Sequence, residues 1–583
     1  MAVHFIFSCP HPVSHFVSIE MRVDGIESDE VVVRLPAWRP GRYELGNFAK
    51  NIRKWQPYNQ NGEPLSFRKL SKDSWQVQTD GANELIVKYD YYCAQPDAGA
   101  CYVDDELFYI NPVHCCLFIT ERMHDECTVT LDLPKSFQIA SSLEKYTDRK
   151  LIAKDFHELV DSPVMASASF QMRSYTIKDV RFFVWLQGEC SPDWERILTD
   201  FSAFTIEQME TMEDFPVKEY HFLILVLPYL YYHGVEHLKS TVLVLGPGTK
   251  LMQDEIYDDL IGVASHELFH SWNVKSIRPA EMVPYKYTRE NYSKLGYVYE
   301  GVTTYYGDLF LARSGVFTSK QFFNEISVRL QKHFNNPARF NLSVADSSFD
   351  TWLDGYTPGI PGRKTSIYDE GCITALMTDL IIRKETDGDS SLDDVMRLLY
   401  SDFGKKGIGY TDQDYIAIVE NVAGISLAEF FIDHVYGTED KLELLTRLLA
   451  YAGCELKRTH SKSESERFFG FKYKHTDTQL TKVSAIYPAS PAFENGLGLE
   501  DEIVAINESK VENNIDELLR NVRGQKIILT VINPMRRLKD IALEHDGKEY
   551  YPRYSIVRSE FASPEQKRFF KQWMKKSDLL VEE

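Results

Sequence analysis

The stretch from Asp254 to Trp272 constrains this chain more than any other. Apolar residues at Ile256, Leu260, Ile261, Ala264, Leu268 and Phe269 recur with helical period, yet three polar groups, His266, Glu267 and His270, interrupt the apolar run. On a helix, residues four apart share a face. His266 and His270 can therefore present two imidazole nitrogens to one cation, with Glu267 one step round the cylinder. Two surface histidines on an amphipathic helix would give the same spacing. The strongly apolar remainder of the helix argues against that, because it leaves the three polar groups without a reason to be there.

A metal that activates water for hydrolysis needs three protein ligands and an open position. The acidic residues that follow the helix are Glu281, Glu290 and Glu300. Glu281 and Glu290 lie in Pro-rich and polar loop sequence, whereas Glu300 opens a helical segment with apolar Val302, Tyr305, Tyr306, Leu309 and Phe310. Glu300 is therefore the expected third ligand, Zn2+ the expected ion and Glu267 the expected general base.

Length and charge set the frame around this helix. At 583 residues the chain exceeds what one hydrophobic core serves, so about three or four domains are expected. Hydrophobic residues at 44% and charged residues at 26% place it among globular proteins. A net charge of −21 repels phosphate backbones and anionic bilayers, and the few basic clusters, such as Arg536-Arg537, alternate with apolar or acidic residues as solvated faces do. No nucleic acid partner is expected, and no apolar run is long enough for membrane insertion. Nine cysteines without disulfide-framework spacing, two of them adjacent at Cys115-Cys116, read as free thiols of a reducing compartment. With no basic leader before an apolar run at the start, a cytoplasmic location is expected, although an exported chain trimmed of its signal would read the same way.

Three regions differ in pattern. Residues 1–170 carry short alternating segments such as Val31–Leu35 and Leu85–Tyr89 with turns at Pro40-Gly41 and Asn61-Gly62, the pattern of a β-sandwich-like domain. Residues 171–317 mix strands with the helix just described, and 318–456 are mainly helical, with capping signals at Ser391, Thr411 and Ser426. After a polar linker, residues 466–548 form a small β-rich unit and 549–583 a C-terminal extension ending in a charged helix. The expected class is multidomain α+β.

The run His266-Glu-Leu-Phe-His-Ser-Trp-Asn-Val-Lys-Ser-Ile-Arg-Pro279, followed by Glu300-Gly-Val-Thr-Thr-Tyr-Tyr306, closely resembles the glycyl-aminopeptidase family of gluzincin metallopeptidases. The resemblance extends to Leu35-Pro-Ala-Trp-Arg-Pro-Gly-Arg-Tyr43 and to Val483–Asn507, which is similar to the middle of a PDZ domain. It implies a thermolysin-like zinc catalytic domain over 171–317 and a PDZ domain over 466–548. It also implies that Gly234-Val-Glu-His237 corresponds to the amine-anchoring motif of related alanyl-aminopeptidases, with Gly234 and Glu236 as substrate contacts, and that Tyr368 of Tyr368-Asp-Glu-Gly371 donates to the oxyanion. The sequence departs from the wider pattern at His237, in place of Asn, and at Asp369-Glu370, in place of Glu-Lys.

Three functions follow from these residues. The first is an aminopeptidase that removes small N-terminal residues, glycine or alanine by the resemblance, from peptides with a free N-terminus. The second is a zinc endopeptidase that captures substrate on its PDZ domain, and the third a non-catalytic peptide-binding scaffold. A peptide ligand of the PDZ domain is a further expected partner.

Overall fold

The computed structural model describes residues 2–357, 359–475, 480–522 and 524–575. The last eight residues of the expected C-terminal extension, and residues 476–479 and 523 of the expected PDZ domain, lie outside the described residues.

Alternation in the first part of the chain becomes sheet. Strand Ala2–Ser8 buries every second residue and Phe16–Asp24 does the same, so each has one face for a core and one for water. They belong to a seven-stranded sheet, packed with two four-stranded sheets. Most neighbours are antiparallel, as the turns imply, but Ala2–Ser8 pairs in parallel with Glu126–Asp132. More than a hundred residues separate the two strands, which supplies the long crossover that a parallel pair needs.

The second region opens with a five-stranded sheet in the order Gln171–Ile177, Val180–Gln187, Glu219–Val226, Ser240–Gly246 and Tyr231–Glu236. Its central strands are parallel and almost wholly buried, which is why they read as unbroken apolar runs. The edge strand Tyr231–Glu236 (β1) runs antiparallel to its neighbour and leaves one edge unpaired within the sheet. Against the sheet lies the helix Asp254–Phe269 (α1), followed by Thr303–Ser314 (α2) and Asp369–Glu385 (α3). No helix among the described residues is long and apolar enough to cross a membrane.

Glycines bring these helices together. A β-carbon on Gly301 would press into the backbone of Gly371, and one on Gly371 into Gly301 and Tyr297. The start of α3 therefore touches the turn before α2 backbone to backbone. This close approach carries Tyr368 to Glu300.

The C-terminal part is not a simple string of units. Strand Cys454–Thr459 pairs with Arg553–Arg558, and between them residues 465–543 build a separate β unit around Phe471, Val483, Ile503, Leu529 and Leu543. The chain then returns to the helical region through Pro564–Met574 (α4). Trp573 is fully buried there, its indole N–H donates to the Tyr305 hydroxyl at 2.8 Å, and its carbonyl accepts from Arg313 at 3.0 Å. Arg313 in turn pairs with buried Asp393 at 2.9 Å. Replacing Trp573 by Ala is expected to destabilise the helical region by roughly 3–5 kcal/mol, seen as a lower calorimetric midpoint. A midpoint unchanged within error would place α4 outside the cooperative unit.

Candidate active site and metal centre

Segments far apart in sequence line one cavity of about 580 Å³, among them the loop at Arg39, Gly41 and Arg42, the strand β1, the helix α1, and the helical turns around Glu300 and Tyr368. His266 is part-exposed on α1, while Glu267 and, at its C-terminal cap, His270 are buried. The Nε2 atoms of His266 and His270 are 3.0 Å apart, and Glu300 Oε2 lies 3.8 Å from the first and 3.4 Å from the second. Glu281, by contrast, is exposed and Glu290 half-buried, and neither lines the cavity.

Glu300 sits on a π-helical turn, Tyr297–Val302, that leads into α2. Such turns widen the helix and re-aim one side chain, and here it is the carboxylate that meets the imidazoles. Around the three donors the hydrogen bonds fix orientation. His270 Nδ1 lies 2.6 Å from the Asn273 carbonyl, which holds the proton on Nδ1 and leaves Nε2 with its lone pair free. Asn273 donates through its side chain to the Val298 carbonyl and to Thr303, so the residues just after the second histidine also tie down the turn that carries Glu300. The Tyr43 hydroxyl donates to Glu300 Oε1 at 3.3 Å, leaving Oε2 for the cavity.

The three donors fit a tetrahedral zinc ion. Ligand atoms about 2.0–2.2 Å from such an ion lie about 3.3–3.6 Å from one another, and the separations here bracket that range. Burial alone would raise the Glu300 carboxyl, but the His270 and His266 imidazoles outweigh it and hold it down at about 2. Glu236, Glu267 and His270 form a second set of donor atoms within 4.8 Å of one another. The two-imidazole, one-carboxylate set is the better match to a catalytic zinc site, and it leaves both remaining carboxylates free for other tasks.

Those two carboxylates have unmet bonding capacity. Glu267 Oε2 and Glu236 Oε1 are buried without a hydrogen-bond partner. Burial drives the Glu267 carboxyl well above its ordinary range, with His270 pulling it back. Two glycines make room for the pair. A β-carbon on Gly234 would collide with the Glu267 carboxylate and one on Gly41, whose φ is +82°, with that of Glu236. Gly234 is thus placed on the cavity wall, and Gly41 seats the N-terminal loop directly on Glu236.

Tyr368 caps α3 and lines the same cavity, and its hydroxyl is 3.2 Å from that of Tyr356. Burial first, then the Glu300 charge, push the Tyr368 phenol well above its ordinary range, so it stays a proton donor. The neighbouring Glu370 does not reach the cavity, because Lys441 at 2.6 Å and His333 at 3.4 Å hold it on the other side. His233 and His237 do not approach each other's partners: His233 pairs with Asp97 at 2.8 Å, and His237 with Asp161 at 3.3 Å. Asp161 also meets Lys275 at 2.6 Å, so a residue of the first domain locks the segment just after His270 to the one just after Glu236.

Tyr43, Asn273, Arg39 and Tyr356 are the contributors to this site that carried no assigned role in the sequence. Three of them were in view inside long motifs, since Arg39 and Tyr43 flank Pro40-Gly41 and Asn273 follows the second histidine by three. Only their partners were hidden.

A family model described as the peptidase M61 N-terminal domain matches residues 4–168, and one described as M61 glycyl aminopeptidase matches residues 259–374. No curated protein matches. Among solved structures, an aminopeptidase N family protein from Idiomarina loihiensis superposes with a TM-score of 0.89 at 24% identity, covering 98% of this chain and 100% of that one, and so shares its fold. An M1 zinc metallopeptidase variant from Deinococcus radiodurans, bound to a Tyr-Ser-Ala substrate, gives a TM-score of 0.46 at 13% identity over 76% of this chain and 94% of that one.

Proposed function

We propose, for a chain that belongs to the M61 peptidase family and is accordingly a metallopeptidase, that it is a zinc aminopeptidase removing small N-terminal residues, glycine or alanine, from peptides. The observation that carries this reading is Glu236: a buried carboxylate with an unpartnered oxygen, at the end of the edge strand, in the same cavity as His266, His270 and Glu300. A carboxylate in that state is suited to pair with a free α-ammonium, and an endopeptidase has no need of it.

Zinc held by His266, His270 and Glu300 would supply Lewis acidity, polarising the scissile carbonyl and acidifying water. In this reading Glu267 takes a proton from the attacking water as the C–O bond forms and the carbonyl oxygen becomes negative, then returns it to the amine nitrogen as the carbonyl re-forms and the C–N bond breaks, so no proton is lost. Tyr368 donates its phenol hydrogen to the oxygen that becomes negative, and Tyr356 steadies that hydroxyl. Gly234 keeps the wall low beside Glu267, where a larger residue would displace the base.

Residues 466–548, which take in most of the separate β unit, are read as the PDZ domain. Within that β unit the backbone N–H of Ser465, in the turn ahead of Gly470, already donates to Asp516 at 3.1 Å. Capture of a peptide there belongs to the alternative reading of a zinc endopeptidase, and the third reading, a scaffold without turnover, would leave Glu267 without a task. A cytoplasmic location, with all nine cysteines as free thiols, completes the proposal.

Acetylating the substrate's amine separates the readings. Hydrolysis of an alanyl peptide is expected to exceed that of its N-acetyl form by roughly a hundredfold in kcat/KM, since the acetyl group removes the charge that Glu236 would meet. Equal rates for the two peptides would sink the exopeptidase reading in favour of the endopeptidase.

A further inference from the structure

Arg39 is only 3% exposed, yet its guanidinium has little to bind. Among the described residues its one hydrogen bond runs from Nη1 to the carbonyl of neighbouring Pro40 at 3.2 Å, and it forms no ion pair with any described carboxylate. The side chain stands in the wall between the catalytic cavity and a second one of about 460 Å³. Both carboxylates that line the second cavity are engaged: Glu44 by Arg42, and Asp97 by His233 at 2.8 Å, by the Tyr231 hydroxyl at 2.6 Å and by the backbone N–H of Gly99 at 2.8 Å. Lys50, at the rim of the same cavity, adds a further cation with no ion pair among the described residues.

This placement is built into the chain. A β-carbon on Gly99 would collide with the Arg39 guanidinium, so the loop leaves space for it alone. A buried cation that shares a cavity with carboxylates but makes no direct ion pair with any of them is incompletely satisfied, and a ligand carboxylate within hydrogen-bond reach supplies what is missing. Two residues further on, Gly41 is seated against Glu236, so a single turn presents a free cation at one end and borders a free carboxylate at the other. A peptide is a ligand that carries both complementary charges.

We propose that Arg39 receives a carboxylate of the peptide substrate, an inference that rests on the aminopeptidase reading. The guanidinium fork suits a carboxylate with two parallel hydrogen bonds. That carboxylate is either the C-terminus of a short peptide or an acidic side chain next to the small N-terminal residue. The two sources share one chemistry and differ in which substrates benefit.

The test is calorimetric binding to zinc-loaded protein carrying Glu267→Gln, so that affinity is read without turnover. One arm compares Ala-Ala with Ala-Ala amide, the other Ala-Glu amide with Ala-Gln amide. In at least one arm the charged member is expected to bind about tenfold or more tightly than its neutral partner. Adding Arg39→Gln is expected to erase that preference while leaving the neutral member within about threefold, and Arg39→Lys to retain part of it. No charge preference in either arm overturns the proposal, and so does a preference that survives Arg39→Gln. Should Arg39→Gln not fold, a preference reduced in Arg39→Lys without change for the neutral member supports the proposal, and an undiminished one contradicts it. Hydrolysis of alanyl-anilide by the unaltered protein reports separately on the peptidase reading.

Discussion

Glu267→Gln is expected to lower kcat by about three orders of magnitude while the metal content stays unchanged. The amide is nearly the size of the carboxylate, so it fits beside Gly234 in the space that the missing β-carbon leaves. It cannot take a proton. Because Glu267 is not among the three donors whose spacing matches a zinc ion, binding of the ion has no reason to weaken. KM is expected to move little, since the substrate's amine and carbonyl meet other groups. A variant that keeps most of its kcat would remove Glu267 from the chemistry altogether.

The second large effect is expected at Glu300. Replacing it by Ala takes away one of three donors and the only negative one, leaving two imidazoles 3.0 Å apart with no charge to balance a dication. It also frees Tyr43, whose hydroxyl loses its acceptor, and opens a gap in the turn that Asn273 and Thr303 brace. Activity is expected to fall by at least about four orders of magnitude, because an ion held by two ligands does not persist at catalytic occupancy. The effect should exceed that of Glu267→Gln and differ from it in kind, since it acts through the metal and not through the proton.

How far the sequence alone reached follows from the range over which each signal acts. The helix α1 is legible because its two histidines are four residues apart and its apolar stripe is local. Glu300 was legible from its helical context, although the π-helical turn that aims it was not, since such a turn has no simple residue pattern. The β-rich character of the first part of the chain followed from alternation, whereas the parallel pairing of Ala2–Ser8 with Glu126–Asp132 did not, because register across so many residues leaves no local trace. Pro40-Gly41 reads as a turn, and it is one, with φ at Gly41 of +82°. That the turn reaches into the catalytic cavity depends on partners some two hundred residues away.

The C-terminus teaches the same lesson from the other side. The basic residues of α4 read as a solvated face, and Lys567, Arg568, Lys571 and Lys575 are exposed, while Phe569, Phe570, Trp573 and Met574 are buried against the helical region. Their helical spacing could have been weighed against the charges. The enclosure of residues 465–543 between two paired strands could not, because Cys454–Thr459 and Arg553–Arg558 carry nothing that names each other as partners.

The central claim is that His266, His270 and Glu300 hold one catalytic zinc ion, and its most direct test is metal stoichiometry measured by mass spectrometry on purified protein and on the Glu300→Ala variant after equal dialysis against zinc-buffered solution. About one zinc ion per chain is predicted in the unaltered protein and almost none in the variant. Full occupancy in the variant, or an unaltered protein that binds no zinc, would contradict the account.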